Sequence, residues 1–275
     1  MRILRRGVAW LLLAVGLLTA FIYWQATTDP VVRRLTITVP DWPATAPPMR
    51  LVLMSDLHVA GPETPPSRLA RVVGQVNALR PDLVLIAGDF VTEKRTATRL
   101  YGADAAIAPL AALRPRLGTL AVMGNHDHWL DGRAVHAALA KARITVLDNR
   151  AVRVGPLAIG GVDDDSTHHA DVAGVVAAFA RIGGVPVLLS HSPDIFPAVP
   201  AIVPLVLAGH THCGQIVLPI WGPIATASRY GTRYFCGVVE EGGKRLIVTA
   251  GIGTSILPFR LGAPADVWVI ELRGR

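Results

Sequence analysis

The chain has 275 residues, of which 51% are hydrophobic and 17% charged, so it is long enough and apolar enough to bury one large core. Its formal net charge is +7, but the basic residues form neither a long block nor a stripe with interleaved aromatic residues, and nucleic-acid binding is therefore not expected. The two cysteines, Cys213 and Cys236, exclude a disulfide-rich scaffold and lack the CxxC spacing of a thiolate zinc site. Outside the cytoplasm they could pair with each other.

The first predicted element is an apolar helix. Residues 7–24 carry no charge, and a helix of this length reaches roughly 27 Å, about the thickness of a bilayer core. Aromatic residues lie near both of its ends, where they favour the membrane interface. A buried core helix and a cleaved signal peptide are the alternatives, although the small residues Thr19 and Ala20 fall inside the apolar run rather than after it. We predict an uncleaved, single-pass membrane anchor over residues 1–28.

The charges around this segment predict its orientation. Arg5 and Arg6 precede it, so the positive-inside rule places the N-terminus in the cytoplasm and the rest of the chain in the periplasm or outside the cell. Arg33 and Arg34, which follow the segment, weaken this bias. Three of the 27 basic residues lie in residues 1–28, which leaves 24 basic against 20 acidic residues in the remainder. That surplus suits an anionic substrate or an anionic membrane surface.

The remainder of the chain alternates between strand and helix patterns. Residues 29–49 are typical of a connector with an edge strand over 34–39, followed by a Pro-rich piece over 40–48. Residues 50–275 are expected to form one α/β domain in which the later strands make a second sheet packed against the first. The predicted helices cover about 65–79, 103–113, 133–142 and 171–181, and the predicted strands are 51–54, 83–87, 119–122, 144–147, 151–154, 157–160, 185–189, 203–207, 234–238, 245–249 and 267–272.

Polar residues follow five of these strands at the point where each strand ends. In an open α/β sheet the carboxyl ends of neighbouring strands lie at one edge, where ligands bind. The sequence therefore predicts one site that gathers carboxylate, imidazole and amide groups, which suit Mn, Fe or Zn better than Mg²⁺ or Ca²⁺ alone. In chain order these residues are Asp56, His58, Asp89, Asn125, His126, Asp127, His191, His210 and His212.

Such a set of side chains predicts a pair of divalent metal ions. A carboxylate that bridges two ions about 3.5–4 Å apart would hold them against a phosphoryl group. The pair would lower the pKa of a shared water and neutralise the charge on the equatorial oxygens during in-line attack. In Gly209-His210-Thr211-His212 we expect alternate residues of an extended segment to direct both imidazoles at one site. The order of the motifs is more informative than any single motif, because D-x-H alone is usually structural or incidental and G-D is a common turn.

This ordered set resembles the calcineurin-like metallophosphoesterases. The motifs span residues 56–212, and the resemblance covers about residues 50–272. Gly214-Gln215 match the membrane-associated bacterial branch, whereas Cys213 stands where glycine is common and is either an inert substitution or a soft group beside the metals. The family pattern D-x-H, G-D, G-N-H-[DE], H and G-H-x-H reads here as Asp56-Leu57-His58, Gly88-Asp89, Gly124-Asn125-His126-Asp127, His191 and Gly209-His210-Thr211-His212.

The resemblance implies a four-layer α/β/β/α sandwich and a role for each motif residue. Asp56, His58 and His212 would bind the first ion. Asp89 would bridge to a second ion, which Asn125, His191 and His210 would complete. His126 would donate a proton to the leaving oxygen or stabilise the transition state, and Asp127 would orient His126.

The leading function is hydrolysis of a phosphoester, and a phosphodiester or pyrophosphate is favoured because a two-metal site with one histidine acid suits a leaving alkoxide. An anchored domain beside a bilayer suggests a lipid, nucleotide-sugar or other cell-envelope substrate. The alternatives are a UDP-sugar-lipid pyrophosphate hydrolase, whose site would face the cytoplasm, and a phosphomonoesterase. A non-catalytic scaffold is disfavoured, because every ligand position and His126 are present.

Two further polar groups are candidates for the substrate cleft. Arg229, Arg233 and Arg260 are either phosphate contacts or surface residues. The acidic run 163–165 follows another strand end, so it either lines the cleft or forms a solvated turn.

Overall fold

Secondary structure is described for residues 2–39 and 41–274 of the computed structural model. Pro40, the first residue of the expected Pro-rich connector, lies outside these ranges. The helices are α1 (Arg2–Thr27), α2 (Pro66–Ala78), α3 (Ala103–Ile107), α4 (Asn125–Lys141) and α5 (Val172–Ile182). The strands are β1 (Val31–Thr38), β2 (Met49–Met54), β3 (Ala60–Gly61), β4 (Leu83–Ala87), β5 (Arg99–Leu100), β6 (Thr119–Val122), β7 (Ile144–Val146), β8 (Arg150–Val154), β9 (Leu157–Val162), β10 (Val185–Ser190), β11 (Leu205–Ala208), β12 (Val217–Leu218), β13 (Gly222–Pro223), β14 (Gly237–Glu241), β15 (Lys244–Val248) and β16 (Asp266–Arg273).

The first sheet has six strands in the order β1-β16-β2-β4-β6-β7. Strands β2, β4, β6 and β7 are parallel, whereas β16 runs antiparallel to β2 and parallel to β1. Strand β1 lies at an edge of this sheet and begins three residues before the edge strand predicted over 34–39. The expectation that the last strand belongs to the second sheet is wrong. Both faces of β16 are buried along most of its length, which is typical of an interior strand.

The second sheet has the order β14-β15-β11-β10-β9-β8. Its four central strands are parallel, and β14 and β8 close the two edges as antiparallel partners of β15 and β9. The predicted second sheet is therefore confirmed.

Alternation of side chains along the strands sorts the core into layers. In β2, Leu51 and Leu53 pack against the second sheet, whereas Val52 and Met54 pack against helices α2, α3 and α4. On the far side of the second sheet, α5 packs on β8 and β9, and its Val175 and Phe179 cover the outer face of this sheet. Two sheets between two helical layers give the α/β/β/α sandwich that the resemblance implies, and the predicted fold class is confirmed.

Among the described residues, helix α1 contacts this sandwich near its C-terminal end. Ile3–Thr27 has the length and composition of a membrane span, with a mean hydropathy of 2.0 in its most apolar window and no part of that window buried. The backbone N–H of Arg260 donates to the carbonyl of Ile22 at 3.0 Å. The Arg68 guanidinium donates to the carbonyl of Thr28 at 2.8 Å. The last turns of α1 are therefore fixed to the domain.

Candidate metal centre and active site

The structure brings all nine predicted site residues together where the two sheets meet. They follow the carboxyl ends of β2, β4 and β6 in the first sheet and of β10 and β11 in the second. Seven of them are buried, and His126 and His210 are half-buried.

The first cluster consists of Asp56, His58 and His212. The Nε2 atoms of the two histidines lie 3.1 Å apart. Asp56 Oδ1 lies 3.9 Å from His58 Nε2 and 3.5 Å from His212 Nε2. Ligand atoms around one ion at about 2.0–2.2 Å are separated by roughly 3–3.5 Å. Two of the three separations lie in this range, and all three donor atoms lie within 4.8 Å of one another, so these side chains form a group that could hold one divalent cation.

The second cluster consists of Asn125, His191 and His210. His191 Nε2 lies 3.1 Å from Asn125 Oδ1 and 3.0 Å from His210 Nδ1. Asp89 lies between the two clusters, because its Oδ2 is 3.4 Å from His58 Nε2 and 3.2 Å from His191 Nε2. One carboxylate oxygen thus reaches both sets of donor atoms, as a bridging ligand must.

The electrostatics of the clusters also fit metal ions. Burial lowers the pKa of His58 and of His212 well below the usual range, and lowers the pKa of His210 to about 4. These imidazoles are therefore neutral near pH 7 and carry the lone pair that a metal requires. Burial alone would raise the pKa of Asp89, but the positive charge of His191 holds that pKa well below its usual range. The charged carboxylate is thus stabilised by neighbouring histidines, and its Oδ1 also accepts a hydrogen bond from the His126 N–H at 2.9 Å.

The backbone at the site is strained. A left-handed conformation costs about 1–3 kcal/mol for a residue other than glycine, and such residues concentrate at functional sites. Gly209 allows a close approach here, since a Cβ atom on it would lie 2.5 Å from Asp56 Oδ2. Five predicted ligands have positive φ angles, namely Asp56 (50°), His58 (41°), Asp89 (57°), His210 (70°) and His212 (51°).

The expectation that His210 and His212 lie on an extended segment is wrong. Strand β11 ends at Ala208, both histidines are left-handed, and a 3-10 turn begins at His212. Hydrogen bonds from the His210 N–H to the Asp56 carboxylate hold this turn against the first sheet. The two imidazoles therefore reach the site from a tight turn.

Helix α4 carries Asn125, His126 and Asp127 in its first turn. The backbone of α4 is non-helical at Asp131, whose carboxylate accepts a hydrogen bond from the Ala134 N–H at 3.0 Å, so the helix predicted over 133–142 corresponds to the part after this kink. The part before the kink was not predicted. Gly124 caps it, and Asp127 accepts hydrogen bonds from the N–H groups of Gly124 (3.0 Å), Asp89 (2.9 Å) and Phe90 (2.8 Å). Burial and the charge of Asp89 raise the pKa of Asp127 to about 7. Asp127 thus connects the loop after β4, which carries Asp89, to the start of α4.

The partner of His126 is a residue that sequence reasoning missed. His126 Nδ1 lies 2.9 Å from Glu93 Oε2, and the His126 ring makes an edge contact with Trp129 at 5.0 Å between centroids. Its position in the sequence could have indicated this residue, because Glu93 is the next carboxylate after Asp89 in the loop that follows β4.

The three arginines predicted as phosphate contacts or surface residues each have partners within the protein. Arg260 is fully buried and donates to the carbonyls of Ala250 and Gly253, at 2.7 and 2.6 Å, so its predicted roles as a phosphate contact or a surface residue are both wrong. Arg229 pairs with Asp165 and Asp194, and Arg233 pairs with Glu241.

The acidic run 163–165 is held mainly inside the protein. Asp164 is buried, and Asp163 binds His128 Nε2 at 2.8 Å. This arrangement excludes a fully solvated turn.

Cys213 is not a free thiol. It forms a disulfide with Cys236, with the Cα atoms 4.6 Å apart. The bond ties the turn that carries His210 and His212 to the segment before β14. The interpretation of Cys213 as a soft group beside the metals is therefore wrong.

A cavity of about 520 Å³ opens from the clusters to the surface. Asp89, Asn125, His126, His210 and His212 form its polar floor, and Trp129 lies beside His126. Its outer wall is apolar and includes Ile216, Ile224 and Leu257. The candidate ligands are thus accessible to a substrate of moderate size.

Comparison with known proteins agrees with this geometry. The sequence model of the calcineurin-like phosphoesterases matches residues 49–214. The chain belongs to the calcineurin-like phosphoesterase family. The resemblance to the metallophosphoesterases that the sequence motifs indicated is confirmed.

Similar proteins occur in animals and bacteria. The chain is 29% identical over 283 residues to a transmembrane protein with metallophosphoesterase domain of Danio rerio. This alignment covers 95% of this chain and 62% of that protein. It therefore spans about three-fifths of the length of that relative. It is 32% identical over 233 residues to the uncharacterized metallophosphoesterase YkuE of Bacillus subtilis, covering 82% of this chain and 79% of the relative. The NAD nucleotidase of Haemophilus influenzae aligns with a TM-score of 0.49 and 16% identity, covering 74% of this chain and 45% of that structure.

Proposed function

We propose that this chain hydrolyses phosphoester bonds with two divalent metal ions held by seven residues. One observation carries the proposal: a single oxygen of Asp89 lies within 3.4 Å of a donor atom in each cluster. The proposed ligands are Asp56, His58, Asp89, Asn125, His191, His210 and His212.

The chemistry of the site divides between the ions and the chain. When bound, a pair of divalent ions supplies polarisation of the phosphoryl oxygens and lowers the pKa of a nearby water. The strained turns of the chain hold the ligands in place before substrate arrives, which reduces reorganisation during the reaction. Because Glu93 binds His126 Nδ1, the other ring nitrogen would donate a proton to the leaving oxygen.

A phosphodiester is the proposed bond type, and a lipid or other cell-envelope molecule is the proposed substrate. A single histidine acid beside two ions suits an alkoxide leaving group. The candidate membrane span α1 keeps the domain beside a bilayer, and the outer wall of the cavity is apolar. Both features favour a substrate with an apolar part over a small free anion.

We propose that the catalytic domain lies outside the cytoplasm. The disulfide between Cys213 and Cys236 supports this side, since such bonds persist in oxidising compartments. Arg5 and Arg6 at the other end of α1 favour the same orientation. The alternative of a UDP-sugar-lipid pyrophosphate hydrolase, which needs a cytoplasmic site, is correspondingly disfavoured.

The experiment uses the full chain in detergent micelles, stripped of metal with a chelator. Mn²⁺ is added back, and hydrolysis of bis(4-nitrophenyl) phosphate is compared with that of 4-nitrophenyl phosphate. We expect no activity without metal, restored activity with Mn²⁺, and a higher kcat/KM for the diester. Faster cleavage of the monoester would replace the diesterase with a phosphomonoesterase. If the metal-loaded chain cleaved neither compound, the proposed hydrolysis of simple phosphoesters would be contradicted.

A further inference from the structure

An exposed apolar surface surrounds the mouth of the cavity. The hairpin formed by β12 and β13 presents Ile220 and Trp221 at its tip, with 84% and 78% of their surface exposed. Residues 213–228 contain no charged side chain. Large exposed apolar surfaces of this kind mark contact sites rather than ordinary solvated loops. The residues that we call the apolar rim are Ile220, Trp221, Ile224, Ile256 and Leu257.

The apolar rim is attached directly to the end of α1. Val217, at the start of the hairpin, donates its N–H to the carbonyl of Leu261 at 2.7 Å. The preceding residue, Arg260, donates its N–H to the carbonyl of Ile22 at 3.0 Å. Ile22 lies five residues before Thr27, so this contact is roughly 7–8 Å inside the end of the candidate span. The base of the hairpin therefore lies level with the last turns of α1.

The apolar rim is also continuous with the proposed active site. Ile224, Ile256 and Leu257 line the same cavity as His126 and His210. The side-chain amide of Gln215 donates to the carbonyl of Leu257 at 3.0 Å, which joins the two loops of the rim. One apolar surface thus runs from the end of the membrane helix to the metal ligands.

We propose that the apolar rim inserts into the interface of the membrane that α1 crosses, and that the cavity receives the apolar part of a lipid phosphodiester from the adjacent leaflet. The second half rests on the proposed hydrolysis; the first does not. A bilayer is favoured over a protein partner because the rim continues from a membrane helix and offers no charged groups for specific pairing. Burial of exposed isoleucine and tryptophan in the interface supplies the driving force.

The membrane contact is tested with the full chain in nanodiscs. Ile220→Cys is labelled with an environment-sensitive fluorophore, since both native cysteines are in the disulfide, and lipids with nitroxide groups serve as quenchers. Ile202→Cys is the matched control, because Ile202 is 69% exposed but precedes β11, at the opposite end of that strand from His210. We expect strong quenching at position 220 and none at position 202. Absence of quenching at 220 would overturn the membrane contact and leave a protein partner or a second copy as the occupant.

The substrate class is tested with two nitrophenyl diesters. One is bis(4-nitrophenyl) phosphate in solution, and the other is the 4-nitrophenyl diester of dipalmitoyl phosphatidic acid in the nanodisc. In the double variant Ile220→Ser, Trp221→Ser we expect the rate on the lipid diester to fall by about tenfold or more, because the lost apolar burial weakens access to the bilayer. The rate on the soluble diester should stay within about twofold of that of the unmodified chain, since no proposed ligand changes. The matched variant Ile202→Ser should retain both rates.

The outcomes separate the two proposals. Equal loss on both substrates, no loss on the lipid, or cleavage of the soluble diester alone by the unmodified chain would overturn the lipid assignment. If the unmodified chain cleaves neither diester, the proposed hydrolysis fails and the lipid assignment fails with it. The quenching experiment then still decides the membrane contact.

Discussion

His126 is the residue whose replacement separates chemistry from metal binding. Its ring makes an edge contact with that of His58, with 4.8 Å between centroids, yet it belongs to neither proposed cluster. We predict that His126→Ala lowers kcat by about 10²–10⁴-fold, because a positioned general acid contributes that much, while the metal content per chain is unchanged.

His136→Ala is the matched control for this prediction. His136 lies in the part of α4 after the kink at Asp131 and pairs with Asp148 at 3.1 Å. It should retain both the metals and the rate. Normal turnover in His126→Ala would remove His126 from the mechanism.

Glu93 is a proposed positioning residue that acts through His126. Glu93→Gln keeps the shape of the side chain but removes the charge that holds His126 Nδ1. We predict that kcat falls by roughly tenfold with little change in KM, since substrate contacts are preserved. Steady-state kinetics of Glu93→Gln, His126→Ala and the double variant measure this directly.

The double variant provides the decisive comparison for Glu93. If Glu93 acts through His126, adding Glu93→Gln to His126→Ala should cost almost nothing more. Glu240→Gln, which alters an exposed partner of Arg245, is the control and should leave kcat unchanged. Fully additive losses would show that Glu93 acts independently.

At the level of secondary-structure elements, the strands that carry the site were predictable. Strands β4 and β6 were predicted with their observed bounds, because short apolar runs that end at polar turns are typical of buried parallel strands. The part of α4 after the kink at Asp131 was predictable, but the part before it was not, since its first turn is made of polar motif residues and is specified by the cap at Gly124. The position of β16 depends on pairing with β1 and β2, which are far away in sequence.

Helix α1 is predicted to contribute to the stability of the domain. Removing residues 1–29 deletes the carbonyl partners of Arg68 and of the Arg260 N–H. A hydrogen bond to a charged group is worth about 1.5–3 kcal/mol. We therefore expect Tm to fall by roughly 3–10 °C in a thermal unfolding scan.

Removal of residues 1–20 is the matched control for the role of α1. This shorter deletion retains Ile22 and Thr28, and its Tm should stay close to that of the full chain. Equal Tm values for the two truncations would show that the contacts of α1 do not stabilise the domain.

At the level of the whole molecule, the site exists only where the two sheets meet. Ordered motifs made its ligands predictable, because each motif follows a strand whose end is fixed by the α/β pattern. The contacts of Glu93 with His126 and of Arg260 with α1 were not predictable, since they join loops whose relative positions depend on packing. The apolar rim was missed for the same reason.

The disulfide makes the proposed membrane side testable. If the domain lies outside the cytoplasm, Cys213 and Cys236 should be oxidised in intact cells. Cells would be lysed in a maleimide-polymer reagent, which adds one polymer to each free thiol. We predict no increase in the mass of the chain without a reductant, and an increase of two polymers per chain when the disulfide is reduced first. Reaction of both cysteines without reduction would place the domain in the cytoplasm.

The central claim is that Asp89 holds two metal ions together at a phosphoesterase site, and the most direct test is the metal content of Asp89→Ala. The full chain would be loaded with Mn²⁺ and freed of excess metal. The number of metal ions per chain would be measured by mass spectrometry, and diester hydrolysis would be measured on the same samples. Asp104→Ala, which removes an exposed carboxylate paired with Lys141, is the control. We predict about two ions per chain in the unmodified protein and in Asp104→Ala, and loss of both the ions and the activity in Asp89→Ala. Two retained ions with normal hydrolysis in Asp89→Ala would contradict the proposed metal centre.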